Sequence, residues 1–343
     1  MAVKSSGSLS FSEIESEFGS NNSRSLGNYR ISQSVGTLSN RPLDIGIPQG
    51  NSQIAFSDFY GKRLNVVVNF HTGGTEYRQN AKSRYNSNSV TVIGGFRGKK
   101  QAGSKILIHV NKTIGSSQGS DSTVALRTGS WHSDVVLSVD IGSSGRLYGA
   151  GGDGGEGSDS FSDAGSNSAT SGGNGTSALG IEHEETAVNI QSGGRIRCGF
   201  GGGGGGSGAR QVDRGADRSA CGGGGGGGAG LPAGNGGDRG RRRSGNEDEV
   251  TSGNDGSAGQ LEENGEGGSG GNNADEAFGG SGGRGGDPQE SPQNGNGGSP
   301  GDGSSVGGAG ANGSAIRRSS GSIQVDITNA GDLTGDTSAT GVA

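Results

Sequence analysis

The stretch Gly154-Gly-Glu-Gly-Ser-Asp-Ser-Phe-Ser162 fits the nonapeptide GGxGxDxUx, whose stacked copies share calcium ions through oxygen ligands. Only one copy is present, and a lone copy supplies half a site. The four histidines, His71, His109, His132 and His183, are scattered without metal-ligand spacing, and Ile181-Glu-His-Glu-Glu185 does not form HExxH. Serine, histidine and acid are all available, yet no nucleophile elbow occurs. GxGxxG recurs many times but never in the strand-to-helix context that dinucleotide binding requires. Glu262 and Glu263 sit in a polar stretch with nothing to desolvate them, so neither is expected to be tuned for proton transfer. These patterns assign no catalytic residue, no metal ligand and no cofactor. The chain reads as a non-enzyme.

Recognition chemistry is concentrated elsewhere, in five polar inserts. They are SDSFSDAGSNSATS (158–171), GARQVDRGADRSA (208–220), RGRRRSGNEDEV (239–250), NNADEAF (272–278) and DPQESPQN (287–294). One reading makes them solvated connections. The other makes them a binding rim, with Phe161, Arg241, Arg242, Arg243 and Phe278 as contact candidates, because aromatic residues and arginine dominate interface hot spots. The arginine run is followed by Glu247, Asp248 and Glu249, with which it could equally pair.

The inserts interrupt a glycine field from Gly145 to Gly321, which holds 60 of the chain's 80 glycines in 177 residues. Gly280, Gly283 and Gly286 are three apart, as are Gly295, Gly298 and Gly301, then Gly307, Gly310 and Gly313. A period of three belongs to the polyproline-II type of helix, which makes no internal hydrogen bonds. Ordering sixty glycine backbones costs on the order of 60–120 kcal/mol, and the missing side chains cannot offset it. Interchain N–H···O=C bonds and close backbone contact must do so, which predicts a bundle of threads joined by turns. Cys198 and Cys221 each abut a polyglycine run; they either face each other across neighbouring threads or pack reduced.

A conventional core is plausible only before residue 150, where the apolar residues gather. Ser10 and Glu13 form a capping box ahead of a helical face of Phe11, Ile14 and Phe18, with Leu9 and Ile14 at staple spacing and Gly19 as the stop. Ile54-Ala-Phe-Ser-Asp-Phe-Tyr-Gly61 echoes that phrase. LNVVVNF, SVTVIGGF, SKILIHV, STVALRTG and DVVLSVDI then read as short strands, and a small β-sandwich or prism is expected. Trp131 is read as a core or turn plug. Ile141-Gly-Ser-Ser-Gly-Arg-Leu-Tyr-Gly149 recurs at Ile190–Cys198 and Ile327–Gly335. Each copy is read as strand, tight turn, strand, and as a clamp on the glycine threads.

The net charge of −6 argues against nucleic acid as a partner. No run approaches the length of a membrane span, and Met-Ala-Val-Lys-Ser-Ser-Gly-Ser has no signal-peptide core, so synthesis in a cytoplasm is expected.

The paired phrases SFSEIESEFG and IAFSDFYGK resemble the N-terminal module of tail and baseplate proteins of tailed bacteriophages. The strand–turn unit running into GAGGDGGEG or GFGGGGGG is similar to tail-fibre adhesins of the T-even type. Those adhesins build a glycine-helix sandwich and touch receptors with the loops that join its threads. The resemblance implies a virion tail protein, docked through Phe11, Ile14, Phe18, Phe56 and Phe59 to baseplate or fibre subunits. The binding-rim reading of the inserts suits a charged, hydrated surface such as lipopolysaccharide or an outer-membrane protein, and a trimeric β-prism would make a homotrimer a candidate assembly. The alternative is a structural baseplate or fibre-network component without host contact. The expected fold is mainly β: an N-terminal helical attachment module (1–63), a β domain (64–149), a polyglycine-II-type bundle (150–322) and a returning strand–turn (323–343).

Overall fold

The computed structural model describes residues 3–18, 25–29, 47–48, 52–63, 65–71, 73–86, 105–159, 168–213, 216–241, 249–273, 276–300 and 305–343. It is mainly β, built on three five-stranded parallel sheets. The first sheet runs β1 (Asn65–Phe70), β4 (Lys105–Val110), β7 (Val136–Ile141), β10 (Thr186–Ile190) and β18 (Val325–Asn329). The second runs β2 (Glu76–Tyr77), β5 (Thr113–Gly115), β8 (Arg146–Tyr148), β11 (Arg195–Arg197) and β19 (Asp332–Thr334). The third runs β3 (Gln79–Asn80), β6 (Val124–Arg127), β9 (Ser177–Ile181), β17 (Ile316–Arg318) and β20 (Ala339–Thr340). The chain therefore visits the sheets in one cyclic order five times. That path is a three-sided parallel β-helix of five coils.

Apolar residues stack coil on coil inside it. Val68, Ile108, Val139, Val188 and Ile327 are successive register partners. So are Ile114, Leu147, Ile196 and Leu333 in the second sheet and Leu126, Leu179 and Ile316 in the third. Most are fully buried, and with the N-terminal apolar residues they make one continuous cluster. Trp131 closes a turn there: its Nε1–H donates to the Thr128 carbonyl at 2.9 Å, and Tyr85 packs edge-on at 5.4 Å.

The β-sandwich or prism expectation is corrected by this topology. The strands read from LNVVVNF, SKILIHV, STVALRTG and DVVLSVDI exist, while SVTVIGGF lies outside the described residues. Alternation fixes which face a strand buries but not its partner, and a parallel coil alternates as a hairpin does. The strand–turn–strand repeat is present as read, and its two strands do not pair with each other. Its two strands enter different sheets, and the copies lie directly on one another, Arg146 against Arg195 and Arg195 against Asp332. Gly145 and Gly194 close the corners by donating to Gly142 and Gln191 carbonyls at 2.7 and 2.8 Å.

The N-terminal phrases fold as read. Helix α1 spans Phe11–Phe18, with the Ser10 N–H donating to Glu13 Oε2 at 2.8 Å and the Glu13 N–H donating to Ser10 Oγ at 3.4 Å. The echo forms a 3-10 turn at Phe56–Phe59, with the Ala55 N–H donating to Asp58 Oδ2 at 2.7 Å. The position of the helix stop, Gly19, lies outside the described residues. The two elements pack on each other, Phe11 against Phe56 at 5.0 Å and Phe18 against Phe59 at 5.9 Å. Helix α2 (Ala81–Asn86) lies against β1 and β3.

Two excursions leave the coils, one between β8 and β9 and one between β11 and β17. They contain ten extended threads: 150–159, 168–176, 199–208, 221–229, 234–241, 252–259, 265–271, 279–286, 292–299 and 305–313. Each inner thread bonds to a different neighbour on each of three faces. Gly199, Gly202 and Gly205 donate to Thr176, Gly173 and Thr170. Phe200, Gly203 and Gly206 donate to Ala229, Gly226 and Gly223, while Gly204 and Ser207 donate to Gln293 and Asn296. The three-residue glycine spacing is the signature of that pattern. Strands β9, β10, β11 and β17 fall inside 150–322 yet complete the sheets.

The two cysteines do not meet. Thread 199–208 runs antiparallel to 221–229, so Cys198 and Cys221 stand at opposite ends of it, both buried and neither in a disulfide. Burial pushes the Cys198 thiol up to about 12.

Candidate functional site

The threads have two ends with different neighbours. At one end, three turns rest on the second sheet. The Leu231 carbonyl accepts the Ser116 N–H at 3.0 Å. Glu262 meets Tyr148 at 3.5 Å and Arg197 at 3.1 Å, and also pairs with Arg195. The third turn, 287–291, faces Cys198 and Thr334 across a cavity. The described margins of the five other connections lie at the far end, away from the coils, and two pairs of them touch. The Arg241 N–H donates to Asp159 Oδ1 at 2.7 Å, and the Arg210 N–H donates to the Pro300 carbonyl at 3.3 Å.

Small sheets organise this rim. β12 (Ala209–Asp213) pairs antiparallel with β13 (Ala216–Ala220), which pairs parallel with β14 (Glu249–Thr251). β15 (Asn272–Asn273) and β16 (Ala277–Phe278) form a second hairpin. Ala209, Ala220 and Ala277 make a small buried cluster beneath them. Arg218 pairs with Glu276 across the two sheets.

Four of the five polar inserts reach the rim, and one does not. DPQESPQN lies at the coil end, where Asp287 Oδ1 accepts the N–H groups of Gln289 and Glu290 at 2.7 and 2.8 Å. The fifth rim connection, between Pro300 and Ser305, was not singled out from the sequence, and Val306 beside it is 42 % exposed. Its signal was a break in glycine spacing at Ser304, the same kind of break that Glu262 and Gln289 mark at the coil end.

Of the contact candidates, Phe278 is 39 % exposed while its N–H and carbonyl both bond to Ser299 at 2.8 Å. It is an aromatic ring held out on a fixed backbone. Arg241 is exposed and lies 3.7 Å from Asp238, a solvent-screened pair of small worth. Phe161, Arg242 and Arg243 lie outside the described residues. Among the docking candidates, Ile14, Phe18 and Phe59 are fully buried, and Phe11 and Phe56 are partly so. The calcium-like nonapeptide begins as a lattice thread: Gly154 and Gly157 donate to the Asn235 and Asp238 carbonyls. Among the described residues no His, Cys, Asp and Glu group is placed to hold a metal.

One titratable cluster sits on the outer face of the first sheet. Asp140 accepts hydrogen bonds from His109 at 2.9 Å, Asn189 at 2.6 Å and Gln191 at 2.9 Å. Burial opposes its ionisation, but these bonds outweigh burial and hold the carboxyl below its ordinary range. A depressed folded pKa gives stability that is present above the unfolded value and lost as pH falls through the folded one. Asp140→Asn is therefore expected to lower stability at about pH 6, by a margin that has shrunk at about pH 2. Urea denaturation at the two pH values tests this; an equal deficit at both would remove the charge-based account.

A family profile, Phage tail fibre adhesin Gp38, matches residues 67–338. No curated protein and no solved structure shows a match. The matched span runs from within β1 to the end of β19 and takes in all ten threads and every margin of the rim, so the chain belongs to the phage tail fibre adhesin Gp38 family: a non-enzymatic virion protein of the tail-fibre tip that recognises the host receptor.

Proposed function

We propose that receptor contact is made by the rim at the far end of the threads. Phe278 and Val306 supply apolar contact, Arg241 supplies charge, and Phe161, Arg242 and Arg243 come from the connections the rim carries. The observation that supports this is the gathering of five connections at one end, on a base of backbone bonds. Loops on a rigid base are where binding residues concentrate. The receptor is an outer-membrane protein or lipopolysaccharide, surfaces that offer both polar groups and apolar edges.

The threads are read as polyglycine-II-type helices, since three faces bonding to three neighbours is what a three-residue screw produces. Three units follow: the N-terminal module (3–63), the β-helix (65–149, 177–198 and 315–343) and the lattice (150–176 and 199–314). Attachment to the fibre through the N-terminal module is carried by the edge-on pair of Phe11 and Phe56, with Ile14, Phe18 and Phe59 holding the module together. A homotrimer is not required, because the coils bury their core within one chain. No observation favours the purely structural alternative without host contact.

The test is binding of the purified chain to host cells, with competition against phage adsorption. Phe278→Ala is expected to weaken binding by about tenfold or more, the loss typical of an anchoring aromatic, with an unchanged thermal midpoint. Wild-type protein that neither binds host cells nor slows adsorption at micromolar concentration would sink the rim as the receptor site.

A further inference from the structure

Six of the ten threads have no covalent root in the coils. Threads 150–159, 168–176, 199–208 and 305–313 continue directly into β8, β9, β11 and β17. The other six are joined in pairs by the turns at 230–233, 260–264 and 287–291, which only rest on the second sheet. These three contacts differ. The first is a pair of backbone bonds, Ser116 to Leu231 and Leu231 to Gly149, at 3.0 and 2.8 Å. The third leaves a cavity of about 440 Å³ between the turn and Thr334, Gly335 and Asp336.

Among the described residues, the middle turn is the one that makes a charged contact with the sheet. Glu262 is the meeting point of Tyr148, Arg195 and Arg197, side chains from two successive coils. Arg197 is held in turn by Asp332 of the last coil, its Nε–H donating at 2.8 Å. Tyr148 is buried under the turn. The network thus spans three coils, and a single residue of the overhanging threads closes it.

We infer that Glu262 is a positioning residue for receptor recognition: it sets the angle of the outermost thread pair, 252–259 and 265–271, which bonds to other overhanging threads and to no rooted one, and so the aim of the Asn272–Phe278 hairpin that the pair carries. This rests on the reading of the rim as the receptor site. The lever is long. Nine residues at about 3.1 Å each put the rim roughly 28 Å from the root, so a 10° tilt displaces it by about 5 Å. A displacement of that size leaves each loop intact while changing where the Asn272–Phe278 hairpin stands against the rest of the rim.

The experiment uses the full chain with spin labels on Ser133→Cys, an exposed coil site, and Asn272→Cys, an exposed rim site; Cys198 and Cys221 are buried and unlabelled. In Glu262→Gln the distance distribution is expected to shift or widen by about 3–5 Å, the lever estimate for a tilt of this order. Wild-type protein in about 1 M salt should show the same change, because a partly exposed ion pair is screened there. Phage carrying Glu262→Gln should adsorb roughly three- to tenfold more slowly, while the isolated variant keeps its affinity for host cells within about twofold. Superimposable distributions in wild type, variant and high salt would overturn the inference, as would a variant whose isolated affinity falls as far as its adsorption. Wild-type protein that fails to bind cells would overturn the receptor reading instead, and the distance measurement would still decide the role of Glu262.

Discussion

Alanine at Gly203 is expected to destabilise the threads by more than about 3 kcal/mol, beyond the usual range for overpacking. A Cβ there would overlap the carbonyl of Gly283, a backbone group bonded into its own row. Flexible side chains can yield to an extra methyl; a bonded carbonyl cannot move without its thread, and the thread cannot move without its other neighbours. The same holds for Gly206 against Gly280, and for Gly225 against Gly203. The informative control is chemically identical: Gly297 and Gly321 have nothing within 4 Å of a built Cβ. Alanine at those two positions should be neutral or stabilising by about 0.4–1 kcal/mol, through the entropy it removes from the unfolded chain. Protease resistance of the thread region and denaturant midpoints distinguish the two groups. Equal effects at Gly203 and Gly297 would mean that the threads are held by something other than backbone-to-backbone contact.

Glycine spacing was the legible part of this fold, because steric exclusion writes itself directly into sequence. Where three threads press on a fourth, only glycine fits, and the three-residue step appears. Its interruptions were also legible as connections, but not which end they occupy. DPQESPQN and NNADEAF look alike as polar breaks, yet one lies beside Thr334 and the other carries Phe278 at the rim. The end is decided by counting thread directions, which requires knowing every turn.

The β-helix was half legible. The three copies of the Ile–Gly–charged–apolar unit are the corners of successive coils, but 49 and then 137 residues separate them, so the stacking was hidden by the excursions. A further corner, Val110 to Gly115, is two residues shorter than its neighbour and escaped the pattern, though Val110 and Ile114 lie in register with Ile141 and Leu147. The polar neighbours of Glu262 mark it as a solvated carboxylate. Its partners Arg195 and Arg197 lie 67 and 65 residues away, beyond the reach of local patterning.

Excising residues 151–175 and 200–312, each gap closed by a two-residue link, is expected to leave a folded five-coil protein that no longer binds host cells. The geometry permits the cuts because both excursions leave and return at one place. The Thr176 N–H donates to the Ala150 carbonyl at 2.9 Å, and the Gly313 N–H donates to the Gly199 carbonyl at 2.8 Å. The energetics permit them because the continuous apolar cluster, from Val3 to Ile323, contains no residue of either excised segment. The threads contribute only the small clusters around Phe200 and Ala209, which serve the threads themselves. What the coils would lose is the cover over Tyr148 and the carboxylate that gathers Arg195 and Arg197, both on the outer face of the second sheet. Exposing one tyrosine and two arginines is tolerable for a stack whose inward columns stay complete. Circular dichroism with cooperative unfolding should show a β protein, and cell binding should be absent. An excised chain that fails to fold would mean that closing the fourth coil, whose third strand β17 follows β11 only after the whole second excursion, depends on the threads having formed first.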